Sequence, residues 1–323
     1  MSDPGQAHIS ITQASSRKTP LGKLLRKEAQ RYQLYLLLLL PIAYIIIFHY
    51  WPMYGVLISF KDFNAMQGIL GSPWAGFKHF ERFFGAHNFT QIITNTLSLS
   101  LYTLSATFPV PIFLALAINA CRRQKFKKVV QMGTYMPFFL SVTIVVSMIY
   151  QLFSLHTGVV NTILESITGR RVSFLTIPTA FSHLYAWSDV WQSMGFRSII
   201  YIAALAGIDP SLHEAATVDG ANKFRRLWHI DLPGILPTIV ILLIMEVGRV
   251  MSLGFEKVFL MQNPMNISKS QIISTYIYQQ SIGAQIPNFS YSAAVGLFNS
   301  VINFILLLSA NALANRLGDR GLF

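Results

Sequence analysis

Four charged side chains, Asp189, Arg197, Glu246 and Arg249, fall inside stretches that are otherwise almost wholly apolar. Ionised groups are costly in hydrocarbon, so those found there face a cavity or a partner and mark a path for a polar solute or a proton. Asp189 and Glu246 could carry protons or accept hydrogen bonds from hydroxyls. Arg197 and Arg249 could hold an anionic group. Trp187 and Trp191 are four residues apart and share one helix face, which could stack on a flat solute. Asn299 and Asn303 share a face in the same way. Each has a plainer reading. The tryptophans would pack helices, and Glu246 with Arg249, three residues apart, would form an intrahelical ion pair or touch a second chain. Arg197 would be an interior or interfacial structural partner, and the asparagines would bond between helices. Glu256 and Lys257 read as an outer end that meets water or a soluble partner.

Several chemistries lack their residues. There is no Gly-x4-Gly-Lys-Ser/Thr phosphate loop, so ATP binding by that mechanism is not expected of this chain. His213-Glu214 begins a zinc-protease motif, but Thr217 stands where the second histidine would be. No Gly-x-Ser-x-Gly elbow occurs. Cys121 is the one cysteine; it forms no intramolecular disulfide and reads as a buried or interfacial thiol. The expectation is a chain with no catalytic residues, no metal and no bound cofactor.

The elements that must position these groups are read from hydropathy. Of 323 residues, 53% are hydrophobic and 12% charged, against about 25% charged in soluble domains. The deficit is concentrated in six long runs, at 32–60, 91–120, 131–155, 177–206, 235–261 and 289–313. A membrane-crossing helix needs about 20 mainly apolar residues. The spacing therefore predicts an all-α, polytopic membrane protein with six transmembrane helices. Residues 1–31 form a basic tail, partly disordered, residues 32–315 the membrane domain, and 316–323 a short C-terminus. The first run is too long for a signal peptide and is retained. Pro41, Pro52, Pro109, Pro111 and Pro137 permit kinks, which membrane helices tolerate where neighbours or a cavity satisfy the freed carbonyls. Asp189, Glu246 and Arg249 then lie about eleven to fourteen residues into their runs, near mid-membrane, with Asn299 and Asn303 at similar depth.

The net charge of +12 suggests nucleic acid at first sight, but the basic residues sit between apolar runs and encode topology instead. With a cytoplasmic N-terminus, the inner segments hold 16 Lys and Arg and the outer loops 6. That excess places both termini and the 207–234 loop inside.

The 207–234 loop reads as two short helices. Asp209 caps the first, with Pro210 in its first turn, where the missing N–H costs nothing. Gly220 ends it in a left-handed conformation. A second helix starts near Asn222, with Phe224, Leu227 and Trp228 on one face and Lys223, Arg225 and Arg226 opposite; Pro233 ends it.

Within this loop, Glu214-Ala215-Ala216, Gly220, Ile230 and Leu232-Pro233 resemble the EAA signature of binding-protein-dependent ABC import permeases, and Asp219 extends it. Residues 48–55 (Phe-His-Tyr-Trp-Pro-Met-Tyr-Gly), 71–76, 199–205 and 296–300 are similar to permeases for complex oligosaccharides and polysaccharide fragments, alginate importers nearest among them. The resemblance implies a coupling helix between the fourth and fifth spans, docked in a groove of a separate ATPase subunit. It implies a multi-pass permease of the bacterial cytoplasmic (inner) membrane. Its partners would be a second homologous permease, two ATP-binding cassette subunits that hold ATP and magnesium, an extracytoplasmic solute-binding protein and an oligosaccharide. On that reading the intramembrane residues line a sugar path, with Arg249 or Arg197 for an acidic sugar. The rivals are an ion-coupled secondary sugar transporter and a membrane enzyme acting on lipid-linked sugars.

Overall fold

The computed structural model describes residues 32–121 and 123–318. The expected basic tail of residues 1–31, Arg122 and residues 319–323 lie outside the described residues. Among the described residues the secondary structure is helical, apart from an isolated bridge between Lys61 and Trp74.

The chain divides into two units, Met1–Gly55 and Val56–Phe323. In the first, helix α1 (Tyr32–Ile45) runs into a π-turn at Ile46–Tyr50 and then Trp51–Met53. None of its described side chains is buried. The π-turn has a local cause. Pro52 lacks an N–H and its ring would strike the carbonyl four residues back. The Trp51 N–H reaches instead to the Ile46 carbonyl, five residues back, and the widened turn makes room.

In the second unit, α2 (Phe89–Thr107) and α3 (Pro109–Ala120) run on as one span. Then come α4 (Gln124–Tyr135), α5 (Val142–Leu152), α6 (Val159–Thr168) and the 29-residue α7 (Pro178–Ala206). Next are α8 (Pro210–Val218), α9 (Lys223–Arg226) and α10 (Leu232–Val247). The last are α11 (Phe255–Met261), α12 (Ile273–Gln280) and α13 (Phe289–Gly318).

Among the described residues four helices are long and apolar enough to cross a membrane: Tyr35–Phe60, Phe89–Ala120, Lys223–Val247 and Phe289–Arg316. The chain is thus a multi-pass α-helical membrane protein. The expected spans at 131–155, 177–206 and 235–261 differ from expectation, each for a physical reason. The first is bent by 100° between Gln124–Phe139 and Val142–Leu152. Pro137 opens a 3₁₀ turn there, and Ser141 caps α5 by accepting the Ile144 N–H at 3.3 Å. The Leu140 carbonyl freed at the bend accepts the Gln192 side chain at 3.0 Å. The second, α7, is long enough but carries too many polar groups to count with the four. The third is not one helix: α10 stops at Val247 and α11 starts at Phe255. The intervening backbone is held by Asn303, whose Oδ1 accepts the Met251 N–H at 2.9 Å and whose Nδ2 donates to Ser252 Oγ at 2.7 Å.

Among the described residues three apolar clusters hold the second unit together. One joins α2, α5, α7 and α11 through Leu99, Val145, Ile149, Tyr185 and Val258. A second gathers Phe83, Ile92, Tyr276, Tyr291 and Val295. The third joins α3, α7 and α10 through Ala115, Tyr201, Leu205 and Ile235. Helix α7 thus has an apolar anchor near each end, at Tyr185 and at Tyr201, and its polar residues lie between them.

At Gly195, α7 meets the end of α4 so closely that a Cβ would stand 2.1 Å from the Thr134 carbonyl oxygen. Gly195→Ala must push the two backbones apart. The expected cost is about 3 kcal/mol, the upper range for overpacking, read as a lowered melting temperature of the purified protein in detergent. An unchanged melting curve would show that the crossing has slack.

Candidate functional site

The middle of α7 opens on a polar cavity of about 280 Å³. Asp189, Gln192 and Arg197 reach it from α7, Ser100, Thr103 and Thr107 from α2, Glu246 from α10, Arg249 and Ser252 from the broken segment, and Lys257 from α11. Four of the expected path residues, Asp189, Arg197, Glu246 and Arg249, are therefore gathered in one place. Their pairing differs from expectation. Glu246 accepts from Arg197 on α7 at 3.2 Å rather than closing on Arg249. The helix ends at Val247, so the three-residue spacing no longer puts Glu246 and Arg249 on one face. Among the described residues Arg249 makes no ion pair.

Lys257 is the larger correction. It does not sit at a watery outer end; it is 4% exposed. Its Nζ donates to the Tyr185 carbonyl at 3.2 Å and to Asp189 Oδ1 at 3.5 Å, and lies 4.8 Å from the Tyr185 ring centre. The break before α11 turns this residue inward, a feature that hydropathy does not report.

Trp187 and Trp191 are not brought to the cavity. They lie on another face of α7 and line a separate apolar pocket with Met148, Phe153 and His183. Trp187 donates to Tyr102 Oη at 3.1 Å. Asn303 acts as the brace described above. The Asn299 Oδ1 is buried without a hydrogen-bond partner among the described residues, and neither asparagine lines the cavity. Ser100, Thr103 and Gln192 were missed. The signal was present in Thr96, Ser100, Thr103 and Thr107, which repeat at three and four residues along an apolar helix and so make one polar stripe. Among the described residues no cluster of three His, Cys, Asp or Glu could hold a metal ion.

The 207–234 loop forms a second candidate region. Asp209 Oδ1 accepts the Ser211 N–H at 2.9 Å, and that bond holds its carboxyl below the usual carboxylate range. At the other end of α8, the Ala221 N–H reaches the Ala216 carbonyl at 2.8 Å and the Gly220 N–H the Thr217 carbonyl at 3.1 Å. This is the Schellman pattern, which requires the left-handed φ of +75° at Gly220. Asn222 Oδ1 then caps α9 by accepting the Arg225 N–H at 2.8 Å.

Pro233 does not end this helix, contrary to expectation. A π-turn at Leu227–Asp231 precedes it, and the Leu232 N–H bonds the Leu227 carbonyl five residues back. The offset is the same as at Pro52, and so is the physical reason. The helical path consequently continues from Lys223 to Val247. Arg226 ties it to α8 by donating to Thr217 Oγ1 at 2.8 Å, and His213 Nε2 lies 3.3 Å from Asp231 Oδ1. Leu227 and Leu232 pack against the Tyr201–Ile235 cluster, and Ala216 and Ile230 are half-buried. Glu214, Ala215 and Asp219 are exposed, as are the large apolar side chains of Leu212, Val218, Phe224 and Trp228.

The Lys257–Asp189 pair gives a test of the cavity's construction. Lys257→Met leaves Asp189 unpaired and is expected to destabilise by about 3 kcal/mol; adding Asp189→Asn recovers most of the loss. Melting temperatures of the single and double variants check this. A double variant no more stable than the single one would show that the two charges do not depend on each other.

Residues 33–319 match the family described as binding-protein-dependent transport system inner membrane component. Protein LplB of Bacillus subtilis (strain 168) is 44% identical over 292 residues, covering 90% of this chain and 91% of that protein. The polygalacturonan/rhamnogalacturonan transport system permease protein YteP of the same organism is 41% identical over 307 residues, 95% of each. Among solved structures, a chain of a bacterial ABC transporter involved in the import of the acidic polysaccharide alginate aligns with TM-score 0.83 at 38% identity, over 92% of this chain and 99% of that one. A bacterial alginate ABC transporter in complex with alginate pentasaccharide-bound periplasmic protein gives TM-score 0.84 at 37% identity, over 93% and 100%. This chain belongs to the family of binding-protein-dependent transport system inner membrane components.

Proposed function

We propose that this chain is one of two permease subunits of an ATP-driven importer of oligosaccharides, acidic ones included, and that the 207–234 loop receives the motion of an ATPase partner. The observation that carries this reading is the continuity of the helical path from Lys223 in the loop to Val247, beside the cavity. At about 1.5 Å per residue it is a rod of roughly 37 Å. Its far end holds Glu246, which pairs with Arg197 on α7, and α7 itself runs directly into the loop at Gly207. A displacement of α8 therefore acts on both members of that ion pair.

Glu214, Ala215, Ala216, Asp219, Gly220, Ile230, Leu232 and Pro233 would form the coupling element, with the exposed Val218, Phe224 and Trp228 as contact surface for the ATPase. Six spans with both termini cytoplasmic follow if the bent pair α4–α5 and the polar α7 each cross. The unburied α1 fits lipid or a second, similar permease. ATP and magnesium would be held by two cassette subunits, and a solute-binding protein would deliver the sugar, as the alginate pentasaccharide is held by the periplasmic protein in the similar transporter. The acidic substrate class is supported by the alginate and polygalacturonan relatives. Alternating access would arise from rocking of the two permeases around a midplane site, driven by the difference in ATP affinity between the two states. The ion-coupled alternative needs a carboxylate free to load a proton, whereas Asp189 and Glu246 are both held by cations.

Gly220→Val tests the coupling role. No atom lies within 4 Å of the added Cβ, so the expected effect is conformational, about 1–2 kcal/mol against the left-handed turn. In the assembled transporter the variant should insert normally and hydrolyse ATP while sugar uptake per ATP falls severalfold. Unchanged uptake per ATP would remove the loop from the mechanism.

A further inference from the structure

We propose that the exposed aromatic face of Trp74, Phe77 and Phe84 sits in the headgroup boundary of the bilayer, on the surface opposite the 207–234 loop, and anchors the bundle there. Three observations carry it: depth, the shape of the face, and how far down it reaches.

The spans Phe89–Ala120 and Phe289–Arg316 have 32 and 28 residues, so they are about 48 and 42 Å long. A bilayer with its headgroups is about 40–45 Å thick, which leaves the span ends at headgroup level. The Ala120 end lines a pocket with Pro210, His213 and Lys223 of the 207–234 loop. The Phe89 end therefore stands at the other surface. The segment 60–88 packs on that end. The Phe83 ring lies 5.0 Å from the Phe89 ring, and the Phe63 N–H donates to Ser290 Oγ, in the first turn of α13, at 2.8 Å. The first span also ends in this segment, at Phe60.

The face is built, not loose. The Ala75 and Gly76 N–H groups donate to the Phe60 carbonyl at 2.8 and 3.1 Å. The Trp74 ring stacks on the Phe60 ring, with centroids 5.8 Å and planes 9° apart. The helix Lys78–Phe84 divides into three arcs at about 100° per residue. His79 and Phe83 are buried against the protein. Phe77, Phe80 and Phe84 fall within roughly 60° of one another. Glu81, Lys78 and Arg82 occupy the arc beyond them, and Lys78 is paired with Asp62 at 2.8 Å. An aromatic arc beside a charged one is the pattern of a helix lying in a membrane surface. Trp74, Phe77 and Phe84 are nevertheless 66%, 65% and 52% exposed to whatever surrounds the protein. Tryptophan favours headgroup level because its ring is apolar and its N–H needs a polar neighbour.

A bilayer fits this face better than a soluble protein does. The Phe84 ring is 5.6 Å from the Phe298 ring, which is nine residues, about 13 Å, into α13. With the hydrocarbon about 30 Å thick, that depth is inside it and beyond the reach of a soluble partner.

The test uses the assembled transporter in vesicles of zwitterionic and anionic phospholipid. The chain has five tryptophans, and the fluorescence of the wild type minus that of Trp74→Phe isolates Trp74. Phospholipid brominated near the glycerol end of its acyl chains should quench this signal about twofold. Aqueous iodide should quench it far less. Phe84→Trp minus wild type gives a second probe, which does not require removal of Trp74 and should also be quenched by brominated lipid. Both changes exchange one exposed aromatic ring for another, so size-exclusion profiles should match the wild type. Quenching of both probes by iodide but not by brominated lipid overturns the proposal. A saturable change of the Trp74 signal on adding the solute-binding protein, without lipid quenching, assigns the face to that partner and overturns it equally.

Discussion

The cost of placing charge among apolar helices governs the middle of this protein. Lys257 and Asp189 on one side, Arg197 and Glu246 on the other, are tolerable there because each has an opposite charge within 3.5 Å. Both pairs join different helices: α7 to α11 and α7 to α10. The pairing thus fixes how the broken fifth run lies against α7, and the cavity takes its shape from that fit. An apolar substitute could pack the helices equally well but would strip the cavity of four of its five charged groups.

The second constraint is the handling of prolines. The helical path runs on past Pro233, yet a proline inside an α-helix removes a hydrogen bond and collides with the turn before it. The widened turn at Leu227–Asp231 resolves the conflict and keeps the loop mechanically continuous with the helix that holds Glu246. The same solution at Pro52 shows that it is a property of local chain geometry rather than of the loop's surroundings.

Much of this was legible in the sequence because it is local. The cap at Asp209, the left-handed Gly220 and the start at Asn222 depend on residues within a few positions, and all three are realised. The gathering of Asp189, Glu246 and Arg249 was legible too, since equal depth in a bilayer is a matter of counting; the place of Arg197 beside them was not, since it lies about twenty residues into its run. What was not legible depends on partners distant in the chain. Lys257 turns inward because the backbone before it is broken and held by Asn303, 46 positions later. The bend at Leu140 is stabilised by Gln192. The tryptophans face away from the charges because Asp189 stands two positions from each, which on a helix is nearly the opposite side. The polar stripe of α2 was readable by spacing alone, but hydroxyls blend into an apolar helix when only charge is sought.

The contact between Gly195 and Thr134 has one more consequence. With no side chain between them the two backbones meet directly, and a rocking α7 would turn about this contact. Ala206, at the loop end, is about 16 Å from it along the helix, and Asp189 is about 9 Å on the other side. Rotation about this point would turn a displacement at the loop into one roughly half as large, and opposite in direction, at the cavity. A swing of about 4 Å at Ala206 would therefore move Asp189 by about 2 Å, enough to part it from Lys257 at its present 3.5 Å. For such a motion the mechanical advantage would be set by where a single glycine falls along one helix.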